Sequence, residues 1–114
     1  MMKFVNLTPH TVNIVKKVDL IETMTSIESS GIARVKSETR VVGFIDGIEE
    51  TETILDPSTV TGLPEPDPDG NTIFIVSRIV AEAVKGIRND CRIPDKTIRN
   101  EKGEIIGCGS LGRV

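Results

Sequence analysis

Apolar and polar residues alternate over short stretches of this chain, which is the pattern of half-buried β-strands. Near the start, the alternation runs through residues 11–14, and a Thr-Pro-His turn at residues 8–10 separates it from an earlier apolar run. Proline fits a tight turn because its ring fixes φ. The pattern therefore predicts an opening hairpin with strands at about residues 3–7 and 11–17.

Other stretches carry the same signal further along the chain. Asp46-Gly47 predicts a two-residue hairpin turn, because both residues tolerate a positive φ. Residues 18–28 have a mixed periodicity and predict an extended segment or an irregular hairpin. The remaining predicted strands lie at residues 32–36, 39–45, 48–55, 97–100 and 104–108.

One strand and one helix are predicted side by side. The run 72–76 is apolar on both faces, which is typical of a central strand. Ser77 follows it as a helix N-cap, and residues 78–85 place their apolar side chains on one helical face. With a proline-rich loop at 56–70, the pattern predicts a single α+β domain spanning residues 1–114. Its mainly antiparallel β-sheet has about seven strands, with one helix after the central strand.

The composition narrows the classes of function. The 114 residues include three Phe and no Trp or Tyr, so base stacking by aromatic side chains is disfavoured and no nucleic acid is expected as a partner. Cys91 and Cys108 lack neighbours at metal-ligand spacing, and we expect no metal and no cofactor. The chain carries neither a membrane-spanning run nor the pattern of a signal peptide, which predicts a cytoplasmic protein without a membrane partner.

Charge is unevenly distributed, although the net charge is only −3. Residues 46–69 hold eight acids and no base, whereas residues 78–102 hold seven bases. Three interpretations remain open: self-complementary contact between subunits, a basic site for an anion, or scattered solvated faces. Because cyclic two-fold assemblies are the commonest, we expect a homo-oligomer, most simply a dimer.

Candidate binding residues cluster first at the opening turn. Asn6, Thr8 and His10 place three hydrogen-bonding side chains at one end of the predicted hairpin, and we expect them to bind a ligand. His10 is the one histidine of the chain and is the candidate for a general acid or base. No spacing pairs it with a nucleophile, so the sequence favours binding over catalysis.

Basic residues supply the other candidates. Ser77 and Arg78 begin the predicted helix, where unpaired N–H groups favour an anion; a simple N-cap is the alternative. Asp90 could hold Arg88 as a planar fork for a phosphate, and a structural ion pair is the alternative. Arg34, after a Ser-Ser-Gly turn, is a further candidate.

Two motifs are weaker than they look. Residues 107–112 match G-x-G-x-x-G, but only two residues follow, so the helix of a dinucleotide-binding fold is excluded. The glycine-rich tail could still fold over an anion beside Arg113, or be a flexible terminus. Residues 67–70 resemble only a fragment of a calcium-binding loop, which argues against a metal site.

Several stretches together resemble a group of small, uncharacterised bacteriophage and prophage proteins. They are residues 6–14, 63–64, 74–77, 88–90 and 103–108. The resemblance implies a viral accessory protein acting in the host cytoplasm. Small phage proteins of this kind include oligomeric sponges that sequester nucleotide immune signals of bacteria.

By analogy with those sponges, the resemblance implies a non-enzymatic, anti-defence binding protein that sequesters a small anionic, nucleotide-like ligand in a basic pocket. Arg34, Arg88 and Arg113 would meet phosphates, while the opening turn would recognise the sugar or base. The alternatives are a protein–protein adaptor that inhibits a host enzyme, favoured by the acidic stretch, and a small nucleotide hydrolase that uses His10.

Overall fold

Most of the chain is extended because its core residues are β-branched aliphatics. In the computed structural model, which describes residues 2–114, 52% of the residues lie in strands and one short helix is present. The strands are β1 (Lys3–Asn6), β2 (Val12–Val18), β3 (Ile21–Ile27), β4 (Ser37–Ile45), β5 (Ile48–Leu55), β6 (Thr72–Ile75), β7 (Cys91–Arg99) and β8 (Ile105–Gly112). The helix α1 is Arg78–Ala83, and a 3-10 turn covers Pro57–Thr59.

The main sheet is mixed, so the prediction of a mainly antiparallel sheet is wrong. Its order is β1-β6-β7-β8-β2-β3. The pairs β1–β6, β6–β7 and β2–β8 are parallel, whereas β7–β8 and β2–β3 are antiparallel. The coarser assignment, a mostly β chain with one short helix, is confirmed.

The predicted opening hairpin is also wrong. β1 pairs in parallel with β6, where Lys3 lies opposite Thr72, while β2 pairs with β3 and β8. Residues 7–11 are therefore a crossing loop that carries the chain between two separate places in the sheet. Polar side chains do gather there, but they lie between distant strands and not at the end of a hairpin.

Among three other local predictions, one is confirmed, one is wrong and one differs in length. The Asp46-Gly47 hairpin is confirmed, with φ values of 48° and 79° and a β4–β5 ladder on either side. The predicted strand at 32–36 is wrong, because only Arg34 forms an isolated bridge, to Thr61. The helix is shorter than predicted and ends at Ala83.

The glycine-rich tail is a strand, not a flexible terminus. Residues 105–112 form β8, which lies between β7 and β2. A Cβ atom on Gly107 would lie 2.8 Å from the backbone oxygen of Asn13, so glycine is needed where β2 passes closely. The G-x-G-x-x-G spacing thus reflects close strand packing.

The core lies beneath α1. Val80, Ala81 and Val84 pack with Phe74 and Val76 at the carboxyl end of β6. A smaller cluster, formed by Val12, Ile75 and Cys108, lies on the opposite face. β6 is therefore buried on both faces, as its apolar run predicts.

Two hairpins extend beyond this core. The β4–β5 ribbon, residues 37–55, is a separate two-stranded sheet, which we call the arm. The β2–β3 hairpin ends in a turn at Asp19 and Leu20. No helix within residues 2–114 is long and apolar enough to cross a bilayer.

Leu20 has two features that are unfavourable for a leucine: its φ is +67°, in the left-handed region, and its side chain is fully exposed. A left-handed conformation costs a residue with a Cβ about 1 kcal/mol or more. We expect Leu20→Gly to raise the free energy of unfolding by about 1 kcal/mol in urea titrations at low protein concentration. Leu20→Ala, which keeps the Cβ, is the control; an equal gain in both variants would contradict backbone strain as the cause.

Candidate functional site

The crossing loop is fixed by Asn6, which is fully buried. Its Nδ2 donates to the backbone oxygens of His10, at 2.7 Å, and Ile27, at 2.9 Å. Its Oδ1 accepts from the backbone N–H of Thr8, at 3.0 Å, and lies 2.6 Å from the Thr8 hydroxyl. All the hydrogen-bonding capacity of the amide is used inside the protein, so Asn6 positions the loop and does not face a ligand.

The loop covers a cavity of about 480 Å³, which we call the loop cavity. Four predicted site residues line it: Thr8, His10, Ser77 and Arg78. Its polar lining also includes Thr11, Asn13 and Thr97. Its apolar lining comes from Val12, Val76, Ile93, Pro94, Ile105, Ile106 and Cys108. The cavity therefore joins the crossing loop, the end of β6, the start of α1 and the β7–β8 hairpin.

Arg78 gives this cavity a positive character. Among the described residues that line it, Arg78 is the one with a permanent charge, and none carries a carboxylate side chain. Its guanidinium is 3.6 Å from Glu82 in an exposed pair, which holds it weakly. A ligand with one negative group can therefore recruit this side chain.

Ser77 occupies the predicted N-cap position, with extended backbone angles. The prediction of its position is confirmed, but within residues 2–114 its hydroxyl makes no capping hydrogen bond. The helix it precedes has six residues, so its dipole is small. Ser77 thus offers the cavity a hydroxyl group more than a helix terminus.

Both thiols are poor nucleophiles. Burial raises the pKa of Cys108, which lines the loop cavity. Burial, with the adjacent Asp90 carboxylate, raises the pKa of Cys91 to about 11. The thiolate is the reactive form, so at neutral pH neither cysteine is poised to attack a substrate with His10 as its base.

Arg88 and Asp90 form an ion pair that holds the structure together. Arg88 Nε donates to Asp90 Oδ1 at 3.0 Å, and Nη2 donates to Asp90 Oδ2 at 2.9 Å. Nη2 also donates to the backbone oxygen of Pro64 at 2.9 Å, and the guanidinium lies 5.7 Å from the Phe74 ring centroid. The fork proposed for phosphate is already filled, so the structural ion pair, the alternative interpretation, describes these residues.

The same pair shifts the pKa of both partners. Burial alone would raise the pKa of Asp90, but the hydrogen bonds and the charge of Arg88 outweigh it, and the pKa lies below its ordinary value. The hydrogen bonds that Arg88 donates to Asp90 raise the pKa of Arg88. Both side chains are about seven-eighths buried, at 14% and 13% exposed, so each depends on the other for its charge to be tolerated.

A second, smaller cavity of about 200 Å³ lies near the far end of α1. Lys85, Arg92 and Arg113 line it beside Arg88, and we call these three residues the basic cluster. Burial and the positive charge of Arg113 lower the pKa of Arg92. Arg92 is held in place because Nη1 donates to the backbone oxygens of Asn89 and Cys91, each at 2.8 Å.

The predicted basic pocket is thus divided. The loop cavity holds Arg78, the basic cluster includes Arg113, and Arg34 lines a third cavity of about 450 Å³ near residues 59–61. The structure brings the opening loop together with Ser77 and Arg78 in the loop cavity, and Thr8 and Ser77 also line the third cavity beside Arg34. Arg88 and Arg113 lie together at a different place, near the far end of α1. Single arginines on different elements carry no signal of their mutual distance, which is why sequence reasoning grouped them.

Sequence reasoning missed Asn13, Thr97 and the β8 segment 105–108 as cavity residues. Asn13 was visible as a polar residue in an alternating strand, but the parallel β2–β8 pair that brings residues 105–108 beside it was not. Within residues 2–114, no three His, Cys, Asp or Glu side chains are grouped as metal ligands.

Comparison of the chain with protein-family models, with curated proteins and with solved structures finds no match. The resemblance to small bacteriophage proteins therefore stays a prediction. The function has to be argued from the cavities and surfaces of this molecule.

Proposed function

We propose that the protein is a non-enzymatic binding protein that holds a small, anionic, nucleotide-like ligand in the loop cavity. The observation that carries the proposal is the convergence of Thr8, His10, Ser77 and Arg78 on one cavity of about 480 Å³. Small-molecule sites commonly have volumes of about 300–1,000 Å³, with apolar walls and a few polar groups. The loop cavity has both properties.

Its lining favours a ligand of mixed character. The apolar side chains of Ile93, Pro94 and Ile106 offer a surface for a flat base. The hydroxyls of Thr8 and Ser77 suit a sugar, and Arg78 suits one phosphate. We infer sequestration and not turnover, because the one nearby thiol, Cys108, has a raised pKa and His10 has no activated nucleophile beside it.

Calorimetric titration with adenosine monophosphate, cyclic adenosine monophosphate and ADP-ribose tests the proposal. We expect micromolar binding of at least one of them, recovered intact after denaturation. Arg78→Gln should weaken that binding about tenfold or more, because it removes a charged hydrogen bond to the phosphate. Lys16→Gln, an exposed position outside the cavity, should leave it unchanged.

His10→Gln separates binding from catalysis. Glutamine can still donate a hydrogen bond, so the variant should retain most of the affinity. The proposal would be contradicted if none of the three nucleotides bound, or if Arg78→Gln and Lys16→Gln lost the same amount of affinity. If the wild type cleaved a nucleotide, and His10→Gln bound that nucleotide equally well but no longer cleaved it, the protein would be a hydrolase instead.

A further inference from the structure

The arm exposes an unusual amount of apolar surface for a β-ribbon. Phe44, Ile45 and Ile48 are 68%, 59% and 70% exposed, and Val41 and Val42 are about half exposed. The β4–β5 register places Val41 and Phe44 on one face and Ile45 and Ile48 on the other. A ribbon that exposes large apolar side chains on both faces is suited to being enclosed by protein and not to standing in water.

The whole molecule has more surface than a monomer of its size. A compact monomer of 12.4 kDa exposes about 6,100 Å², whereas this chain exposes 8191 Å². Its radius of gyration is 17.1 Å, against about 13 Å for a compact chain of this length. The excess, about 2,000 Å², matches what one subunit contributes to a large obligate homodimer interface.

Charge indicates where the arm binds. Glu50 and Glu52, both exposed, lie on the face of the arm that carries Ile45 and Ile48, whereas Glu49 lies on the other face. The positive charges that could meet these glutamates belong to the basic cluster, Lys85, Arg92 and Arg113, which lines one cavity. None of the described residues that line this cavity has a carboxylate side chain. Asp90, which lies between Asn89 and Cys91 of this lining in sequence, is already paired with Arg88.

We propose that the arm docks on a second copy of this chain, with its apolar side chains buried and with Glu50 and Glu52 facing the partner's basic cluster. In a two-fold dimer the contact is made twice, because each subunit supplies one arm and one cluster. This assembly does not depend on a ligand in the loop cavity.

Charge reversal tests the pairing directly. The arm variant is Glu50→Lys with Glu52→Lys, and the cluster variant is Lys85→Glu with Arg113→Glu. Arg92 is left intact because its hydrogen bonds hold the local backbone. By light scattering at high micromolar concentration, we expect a dimer for the wild type and a monomer for each variant alone.

An equimolar mixture of the two variants should form a heterodimer. The lysine arm of one then meets the acidic cluster of the other, and the glutamate arm of the second meets the intact cluster of the first. Circular dichroism has to show that both variants are folded before they are mixed. Lys96→Glu with Lys102→Glu, at exposed positions that do not line the cavity of the basic cluster, is the control that should stay dimeric. Phe44→Ser with Ile48→Ser should weaken the dimer without changing charge.

Three results would overturn the proposal. They are a monomeric wild type, variants that stay dimeric, and folded variants that do not associate when mixed. A wild type that is monomeric alone but binds a different protein through the arm would identify an adaptor. Loss of nucleotide binding with the dimer intact would count against the loop cavity and not against the arm.

Discussion

Asn6→Ala should lower the melting temperature by 10 °C or more. The substitution leaves the backbone oxygen of Ile27 and the N–H of Thr8 without their side-chain partner, and the backbone oxygen of His10 keeps only the Thr8 hydroxyl, at 3.0 Å. A buried polar group left unpaired costs about 1–3 kcal/mol, so the expected loss is about 3 kcal/mol or more. For a domain of this size, each kcal/mol corresponds to about 4–8 °C.

Asn6→Asp tests the burial of this side chain through the pH dependence of the variant's stability. The new carboxyl group would be buried and would face two carbonyl oxygens, so its pKa in the folded protein should be raised above the ordinary value of about 3.9. A raised pKa means that stability is fully present below the unfolded pKa and is lost as the pH rises through the folded one. We therefore expect urea titrations to show a less stable variant at pH 7 than at pH 4, relative to wild type.

Asn71→Ala is the matched control, because Asn71 is exposed and lies outside the crossing loop. It should change the melting temperature by no more than about 2 °C. If Asn6→Ala behaved like the control and lost nucleotide binding, Asn6 would be a ligand contact after all. All measurements need the same protein concentration, since association shifts the apparent stability.

Arg88→Met should lower the free energy of unfolding by about 3 kcal/mol at pH 7. Removing one partner of a buried pair leaves the other charge uncompensated, which typically costs 3–5 kcal/mol. The variant also loses the hydrogen bond to Pro64, which ties the proline-rich loop to the start of β7. Denaturant titration measures the loss, and a cost below about 0.5 kcal/mol would show that Arg88 is a surface residue.

In this variant, the contribution of Asp90 to the free energy of unfolding should change with pH in the opposite direction to that in the wild type. In wild type the pKa of Asp90 is depressed, so its contribution is present above the ordinary value of 3.8 and is lost as the pH falls through the folded pKa. Without Arg88, burial remains and raises the pKa of Asp90, so ionisation destabilises as the pH rises. The gap between the two proteins should shrink from pH 7 to pH 4.

The double variant Arg88→Met with Asp90→Asn removes both charges. It should be more stable than Arg88→Met alone at pH 7, because no unpaired carboxylate remains. A double variant no better than the single one would assign the loss to the Pro64 contact and not to the ion pair.

The elements that sequence predicts well here are local ones. Asp46-Gly47 fixes a hairpin through the backbone freedom of two adjacent residues, and the arm appears where it was expected. The mixed sheet was not predicted, because parallel pairs such as Lys3 with Thr72 join strands far apart in sequence. The one signal for them was the two-sided apolar run of β6, which is typical of strands in parallel sheets.

The candidate site follows the same division. His10 and Thr8 were found from a short polar turn, and Ser77 and Arg78 from a strand that leads into a helix. Their convergence depends on where β1 leaves the sheet and β2 re-enters it. Asn6 was misassigned for a physical reason: an amide in a polar turn has the same sequence signature whether it faces solvent or is buried beneath the loop.

The pairing of β1 with β6 has a consequence for the order of folding. The arm and the β2–β3 hairpin consist of neighbouring segments and should form within about 1–10 µs. Lys3–Asn6 must wait until residues 72–75 have been synthesised, and closing so long a segment is slow. In a newly made chain the arm can therefore form before its own sheet is complete, although a two-stranded ribbon alone is only marginally stable. The proposed contact with a second copy would stabilise the arm at this stage, when two chains emerge close together.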